Sequence, residues 1–255
     1  MTDFIDSQES RTSLPSLATH LPELMGRGMD FEDAFDHYLS VFVNGALDSD
    51  FLKPEYLKLM DHYESLIQPA VRKIEGAIQA RVGVVFSSAW KADFRKALLS
   101  KPYMKLESMS SGSHGDCQAC KLQDHPYSKK CTFTGQWYDP ETLAEVNNED
   151  DNSNEDDSSQ ERPMVIGDIP EVFKLGRFCA KRSSYHHQLN HYRYQILQKC
   201  KMKVNQVKEC KLNKDDKDIF DQCMSNSQWK TKLREELEDL LKNADSYVDE
   251  KDHWK

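Results

Sequence analysis

The sequence contains no apolar run long enough to cross a lipid bilayer. A membrane-spanning helix needs about 18 or more predominantly apolar residues, and none of the 255 residues lies in such a run. The start of the chain, Met1-Thr2-Asp3-Phe4, has neither the basic nor the apolar region of a secretory signal peptide. We therefore expect a soluble intracellular protein that makes no membrane contact.

Glycine is scarce, with ten residues in the chain. No glycine-rich phosphate-binding loop, dinucleotide-binding fingerprint or hydrolase triad order is present. These absences lower the expectation of an enzyme. The hydrophobic fraction of 38%, with four Trp, ten Tyr and eleven Phe, is nevertheless sufficient for a folded core.

The seven cysteines are an odd number, which favours metal ligands and buried thiols in a reducing compartment over disulfides. Cys117-Gln-Ala-Cys120 is the most informative pair, because two thiols at this spacing can bind one soft metal ion from a tight turn. Two alternatives remain open, a reduced pair without metal and a thioredoxin-like redox pair. The redox pair is disfavoured, because that chemistry needs the motif to open a helix.

A polar segment, residues 1–28, shows little hydrophobic periodicity, and we expect it to be a flexible tail. Helical structure is predicted to begin at Asp30, a favourable N-cap residue with acidic residues in the turn that follows. Gly45 is the predicted end of this first helix.

Two further helices and a β-hairpin are predicted downstream. The second helical segment runs from residue 54 to about residue 80 and contains Pro69, which is expected to kink or divide it. Ser88 is the predicted cap of a short third helix. Aromatic residues around Gly135 predict a small β-hairpin over residues 130–138.

Charge is segregated along the chain, whose net charge is −9. Residues 147–161 contain seven acidic residues and no basic one, so we expect a disordered insertion; an acidic interaction segment is the alternative. Residues 172–208 contain nine basic residues and no acidic one.

A long basic helix is predicted from Phe173 to about Val204, and a last helix from about Trp229 to Asn243. One face of the long helix carries an apolar stripe, interrupted by Arg182, that predicts core positions: Phe178, Tyr185, Leu189, Tyr192 and Ile196. The opposite face carries four cations that predict contacts to nucleic-acid phosphates: Lys174, Arg177, Lys181 and Lys199. The alternative is a solvated face balanced by the acidic insertion.

Cys179 falls in the first turn of this predicted helix. A C-x2-C turn, a hairpin and a helix in this order resemble the treble-clef zinc architecture, in which the helix N-terminus supplies the remaining ligands. Zinc in structural sites is held by four tetrahedral thiolate or imidazole ligands. Cys117, Cys120 and Cys179 are therefore three predicted zinc ligands.

The fourth ligand is left open by the sequence. His125, which closely follows the C-x2-C turn, is preferred, and Cys131 or a helix histidine is the alternative. Residues eight apart on a helix are separated by about 12 Å, so Cys179 and His187 are not expected to bind the same ion.

Two histidines, His187 and His191, are spaced to lie on one face of the helix and to chelate a metal by themselves. No glutamate adjoins them as in zinc proteases, where a carboxylate activates the metal-bound water. A hydrogen-bonding or packing role is therefore the favoured interpretation, and a catalytic role is the alternative.

Three segments together resemble one known family: residues 117–126, residues 135–139 and residues 175–192. The family is the domain of unknown function 4211, found near the C-terminus of animal coiled-coil domain-containing protein 82 and in fungal proteins. The likeness spans about residues 30 to 205 and rests on these matching positions: Cys117, Cys120, His125, Gly135, Tyr138, Cys179, His187 and His191. The acidic insertion and the C-terminal extension are departures. The resemblance implies a nuclear protein without an established activity.

We therefore predict an α+β fold that is mainly α, with N-terminal helices, a treble-clef-like zinc knuckle, a small β-hairpin and a long basic helix. One domain is expected over residues 29–205, followed by a helical extension over residues 206–255. The predicted function is a nuclear, zinc-stabilised, non-catalytic interaction module that contacts DNA or chromatin proteins. A metal-dependent enzyme acting on nucleic acid through His187 and His191 is the alternative.

Overall fold

The computed structural model describes residues 28–59, 62–109, 115–122, 125–146, 169–210 and 215–252. The predicted flexible tail, apart from Gly28, and the predicted insertion at 147–161 lie outside these residues.

The α-helices of the described residues are α1 (Phe31–Leu47), α2 (Pro54–Leu57), α3 (Gln68–Val85), α4 (Ala92–Ser100), α5 (Arg177–Asn190), α6 (Tyr192–Cys210), α7 (Asp216–Met224) and α8 (Ser227–Asp252). The strands are β1 (Tyr103–Ser108), β2 (Lys129–Thr134) and β3 (Glu171–Leu175). The predicted α+β class, mainly α with a small antiparallel β element, is thereby confirmed.

Helix α1 begins as the sequence predicts. The side chain of Asp30 accepts a hydrogen bond from the backbone N–H of Asp33 at 2.7 Å, which satisfies one of the unpaired donors of the first turn. The predicted stop at Gly45 is wrong, because the helix continues to Leu47. Gly45 serves close packing instead, since a Cβ at this position would lie 2.5 Å from Cγ of Leu52.

The second predicted helix is divided, as Pro69 suggested. The short helix α2 and a π-helical turn at Tyr63–Ile67 precede the much longer α3. Pro69 lies in the first turn of α3, directly after the π-helical turn. Ser88 is not a cap, because the N-cap residue of α4 is Lys91.

The sheet has three antiparallel strands in the order β1-β2-β3. Cys131 in the central strand pairs with Leu106 on one side and with Phe173 on the other. A small antiparallel element was therefore predicted correctly, but its strands were not. The chain leaves the sheet at Gly135, whose φ of 95° is one that other residues rarely adopt, and Tyr138 instead forms an isolated bridge with Glu145.

The segment predicted as one long basic helix forms β3, α5 and α6. The two helices are separated only at His191, and backbone hydrogen bonds continue across it, from His191 N to His187 O and from Gln195 N to His191 O. Leu189, Tyr192 and Ile196 of the predicted apolar stripe are buried, but Phe178 is 52% exposed. The prediction that Phe178 belongs to the core is therefore wrong.

Two hydrophobic clusters form separate cores. The helical region, consisting of α1, α3, α6, α7 and α8, surrounds the larger core, to which Phe35, Ile74 and Leu197 contribute. Leu237 and Ile219 belong to the same core, so the C-terminal helices pack against the preceding ones. The sheet region, consisting of α4, the three strands and residues 115–122, surrounds the smaller core.

Helix α5 connects the two regions. The guanidinium of Arg182 donates to the carbonyl of Val85 at 2.7 Å and to that of Phe86, at the C-terminal end of α3. On the sheet side, Nε2 of His187 donates to the carbonyl of Lys101 at 2.8 Å, just after α4. The candidate site lies at the first turn of this connecting helix. None of the described helices has both the length and the apolar character that crossing a membrane requires.

Candidate metal centre

The sulfur atoms of Cys117, Cys120 and Cys179 all lie within 4.8 Å of one another. Cys117 and Cys120 belong to the 115–122 turn, and Cys179 is the third residue of α5. Cys117 and Cys120 are buried, and Cys179 is partly buried. The structure therefore brings together the three cysteines that the sequence singled out as ligands.

Neighbouring segments fix the turn from three sides. Cys117 N–H donates to the carbonyl of His125 at 2.7 Å. Lys91 N–H donates to the carbonyl of Ala119 at 2.8 Å, which ties the turn to the start of α4. Gln118 N–H donates to the carbonyl of Lys174 in β3 at 2.8 Å. Because the anchors are backbone groups, the turn is positioned by the fold of the whole sheet region.

Gly176 lets the chain enter α5 close to the turn. A Cβ at this position would lie 3.2 Å from the carbonyl oxygen of Pro126 and 3.9 Å from Sγ of Cys117. The absence of a side chain therefore permits the start of α5 to approach the cysteine turn. Cys179 follows three residues later and completes the cluster.

Hydrogen bonds to its sulfur lower the pKa of the Cys117 thiol. Its pKa is lowered to about 5, chiefly by the S–H of Cys179 and further by the backbone N–H groups of Gly176, Ala119 and Cys120, against the opposing effect of burial. The pKa of Cys179 is raised, because its proton is held by the Cys117 sulfur and because the site is desolvated. The lowered pKa favours the thiolate of Cys117, and the thiolate is the form of cysteine that binds metal.

The donor set is suited to a soft metal ion. Cysteine thiolates favour zinc, copper(I) and iron–sulfur centres, whereas magnesium and calcium require oxygen ligands. Three sulfur atoms in mutual reach could hold one such ion.

His125, the preferred fourth ligand, is close to the cluster but does not belong to the three-thiol group. It lines the same cavity as Cys179, a space of about 440 Å³ that we call the α5 cavity. The other residues lining the α5 cavity are Pro126, Tyr127, Ser128, Gly176, Arg177 and Phe178. Ligation by His125 remains a prediction.

Cys131, an alternative fourth ligand, is fully buried in β2 and lies outside the three-thiol group. Burial raises the pKa of its thiol to about 12, so it stays protonated at neutral pH. This position is that of a core thiol packed with Phe133 and Leu175 in the smaller hydrophobic cluster.

The helix histidines are buried and hydrogen-bonded rather than directed at the thiols. Nε2 of His187 donates to the carbonyl of Lys101, and Nε2 of His191 donates to that of Leu98 at 3.0 Å. The remaining nitrogen of His191, Nδ1, accepts from the hydroxyl of Tyr138 at 2.6 Å. Both nitrogens of His191 are therefore used within the protein.

The four predicted cations are divided between two places. Lys174, Arg177 and Lys181 are exposed around the start of α5, next to the thiol cluster. Lys199 lies on α6, where its ammonium group forms an ion pair with Glu236 of α8. The predicted basic surface is thus limited to the first three residues, and we call these three the basic patch.

Two features of the site are not predictable from the apolar stripe or the cysteine spacing. Tyr127 and Phe178 line the α5 cavity, although no sequence pattern indicates Tyr127 and the stripe predicts Phe178 in the core. For Phe178 the sequence does give an indication of exposure. The residue lies between Arg177 and Cys179 at the start of the helix, where a side chain can face solvent even though it falls on the apolar stripe. No comparable signal exists for Tyr127.

Comparison with known proteins gives one family. The model of a domain of unknown function (DUF4211) matches residues 3–143, a range that contains Cys117 and Cys120 but ends before β3 and Cys179. The part of the resemblance based on residues 175–192 therefore lies outside the match. No solved structure matches the chain. Because the family model covers more than half of the 255 residues, the chain belongs to the DUF4211 family.

Proposed function

We propose that this protein is a nuclear, zinc-stabilised interaction module without catalytic activity that associates with DNA or chromatin. The observation that carries the proposal is the convergence of Cys117, Cys120 and Cys179 from two distant segments at the start of α5, beside the basic patch. A metal there holds the basic patch in a fixed position on the sheet region.

Zinc is the proposed ion because the arrangement corresponds to its structural sites. Those sites are tetrahedral, and they commonly draw two thiolates from a C-x2-C turn and the others from elsewhere in the fold. His125 is the proposed fourth ligand, because its carbonyl already accepts from Cys117 N–H and because it lines the α5 cavity together with Cys179. When bound, zinc supplies a cross-link between the turn and α5.

The basic patch supports an anionic partner. No acidic residue occurs in the first turn of α5, so no carboxylate in that turn competes for Arg177. Lysine and arginine bind phosphates with release of counterions, which makes nucleic acid a fitting partner for such a surface. The nuclear location is proposed from the family resemblance.

No observation among the described residues favours the catalytic alternative. His187 and His191 donate their Nε2 protons to backbone carbonyls, and each is at most 2% exposed. These contacts support a structural role that links the C-terminal end of α5 to the last turn of α4 and the residue that follows it.

Metal analysis with cysteine variants tests the structural part of the proposal. We expect one zinc per chain in the purified protein and tetrahedral thiolate absorption after cobalt substitution. Cys117→Ser and Cys179→Ser should each lose the metal. Two controls separate metal loss from general thiol loss: exposed Cys210→Ser and core Cys131→Ala should both retain one zinc per chain. A folded wild-type protein without metal would refute the proposal.

Salt-dependent DNA binding tests the partner. Replacement of Lys174, Arg177 and Lys181 by Ala should weaken binding and reduce the dependence of log K on log salt by about one for each phosphate that is no longer neutralised. Lys199→Ala is the matched control, because its ammonium group is paired with Glu236. Equal losses in the triple variant and the control would contradict a role for the basic patch.

A further inference from the structure

We propose that the α5 cavity binds one unpaired nucleotide of a single-stranded nucleic acid, with its base against the ring of Phe178 and its phosphate at Arg177. This inference rests on the proposed association with nucleic acid and identifies where and in what form the strand is recognised. Three properties of the α5 cavity support it: its aromatic rings, its charge and its shape.

The α5 cavity offers two aromatic rings held in place. Phe178 is 52% exposed, although the guanidinium of Arg177 lies 4.6 Å from its ring centroid. The ring of Tyr127 packs so closely against Gly115 that a Cβ there would lie 2.7 Å from it, and Nζ of Lys174 lies 5.0 Å from its centroid. Nucleic-acid bases stack on such rings irrespective of sequence, because every base has a π face.

The charge of the α5 cavity favours an anion. None of the described residues that line it is acidic, and Arg177 is among them. Lys174 and Lys181, the rest of the basic patch, lie within four residues of Arg177 along the chain. The hydroxyl of Ser128, another lining residue, adds a neutral hydrogen-bonding group. A phosphate group fits these donors, and arginine can bind it through two parallel hydrogen bonds.

The shape of the α5 cavity favours a single strand over a duplex. At about 440 Å³ it is a concave site of the size that takes small ligands. A base can enter such a space and contact an aromatic ring only when it is unstacked and unpaired. A phosphoserine peptide would use the cations but brings no flat ring to stack on Phe178, so the aromatic lining favours a nucleotide.

The experiment measures fluorescence anisotropy of the full, metal-loaded chain with a labelled twelve-residue oligothymidylate and with a duplex of the same length. We expect tighter binding of the single strand and a roughly 5- to 150-fold loss of that affinity in Phe178→Ala, the range found when one stacked ring is removed. Phe178→Tyr should restore binding because it preserves the ring. Met202→Ala, a variant at another exposed apolar position, on α6 (65% exposed), should bind like the wild type.

The remaining outcomes separate the two proposals. Unchanged affinity of Phe178→Ala, or a preference for the duplex, would overturn the inference about the α5 cavity while leaving nucleic-acid association intact. Absence of binding to both probes by the folded, metal-loaded protein would overturn the nucleic-acid part of the proposed function. Displacement of the oligothymidylate by a phosphoserine peptide at lower concentration than by unlabelled oligothymidylate would assign the α5 cavity to peptides and overturn the nucleotide.

Discussion

The helical region and the sheet region differ in how much apolar material each buries. Among the described residues, thirty buried hydrophobic side chains form the core of the helical region and eleven form that of the sheet region. Two of those eleven are the thiols Cys117 and Cys120. Small cores seldom supply enough stabilisation alone, and natural small units add disulfides or metals. We therefore expect the helical region to fold on hydrophobic burial alone and the sheet region to depend on the proposed metal.

Metal removal should produce the largest difference between the two regions. Chelation, or Cys179→Ser, should make backbone amides of β1 and β2 exchange rapidly with solvent while those of α1 and α3 stay protected. Structural zinc contributes about 10–16 kcal/mol of apparent binding free energy in small peptides, more than a core of this size can replace. Hydrogen-exchange mass spectrometry measures both regions in one sample. Equal protection with and without metal would show that the sheet region is stable alone.

A matched pair of core substitutions should distinguish the two regions by their effect on zinc affinity. Phe133→Ala in the sheet region and Phe42→Ala in the helical region each remove a buried ring, at a cost of about 3–5 kcal/mol. We expect Phe133→Ala to lower zinc affinity, since folding of its region and metal binding are coupled, and Phe42→Ala to lower only the free energy of unfolding. Urea denaturation and zinc competition with a chromophoric chelator measure the two quantities. Equal zinc affinities would contradict the separation of the regions.

Arg182 should be the strongest single polar link between α5 and the helical region. Arg182→Ala removes donors from the carbonyls of Val85 and Phe86 and should lower the free energy of unfolding by about 1–3 kcal/mol. Arg182→Lys should recover part of this loss. Arg72→Ala, at an exposed position on α3, should change stability by no more than about 0.5 kcal/mol. A loss at Arg72 as large as that at Arg182 would refute the assignment.

Acid should weaken the link between α5 and the sheet region. Burial lowers the pKa of His186 to about 4, of His187 to about 3 and of His191 to about 4, from 6.5. Below pH 6.5 the unfolded chain therefore binds more protons than the folded one. Stability is complete above pH 6.5 and falls as the pH decreases toward 3, by about 1.4 kcal/mol per pH unit for each histidine.

His191→Gln provides the measurement for this pH dependence. Urea unfolding at saturating zinc gives the free energy of unfolding at each pH between 6.5 and 5, and its slope against pH should be shallower for the variant than for the wild type. Subtracting one slope from the other removes the contribution of the thiols, which both proteins share. The exposed His62 supplies the control, and His62→Gln should leave the slope unchanged. An identical slope for His191→Gln would show that this ring does not contribute.

Much of the helical region was predictable because its signals are local. The cap at Asp30, the division near Pro69 and the periodicity of the last helix each involve residues within a few turns of one another, and each is confirmed. Gly45 and Ser88 were misread because their roles depend on distant neighbours. Gly45 packs against Leu52, and α4 starts at Ala92, after Lys91 has bonded to the cysteine turn.

The candidate site was predictable in its sulfur atoms and less so in its surroundings. Cysteine spacing and element order identified Cys117, Cys120 and Cys179, because both carry information about metal ligation. Strand β1 was missed, since its pairing with β2 is a long-range property. The role of Arg182 was also not predictable, because an arginine within an apolar stripe does not indicate which distant carbonyl groups it binds.

Trp90 lies beside the cysteine turn, and its fluorescence should therefore respond to the state of the site. Its backbone forms a bridge with that of Cys120, its indole is 1% exposed, and the ring lies 5.4 Å from that of His186 on α5. Indole emission depends on local polarity, so loading and unloading of the site should shift the intrinsic fluorescence of the unlabelled protein. Fluorescence titration and stopped-flow mixing can thus follow metal uptake in real time. Trp90→Phe is the control, because it should lack this metal-dependent change in emission.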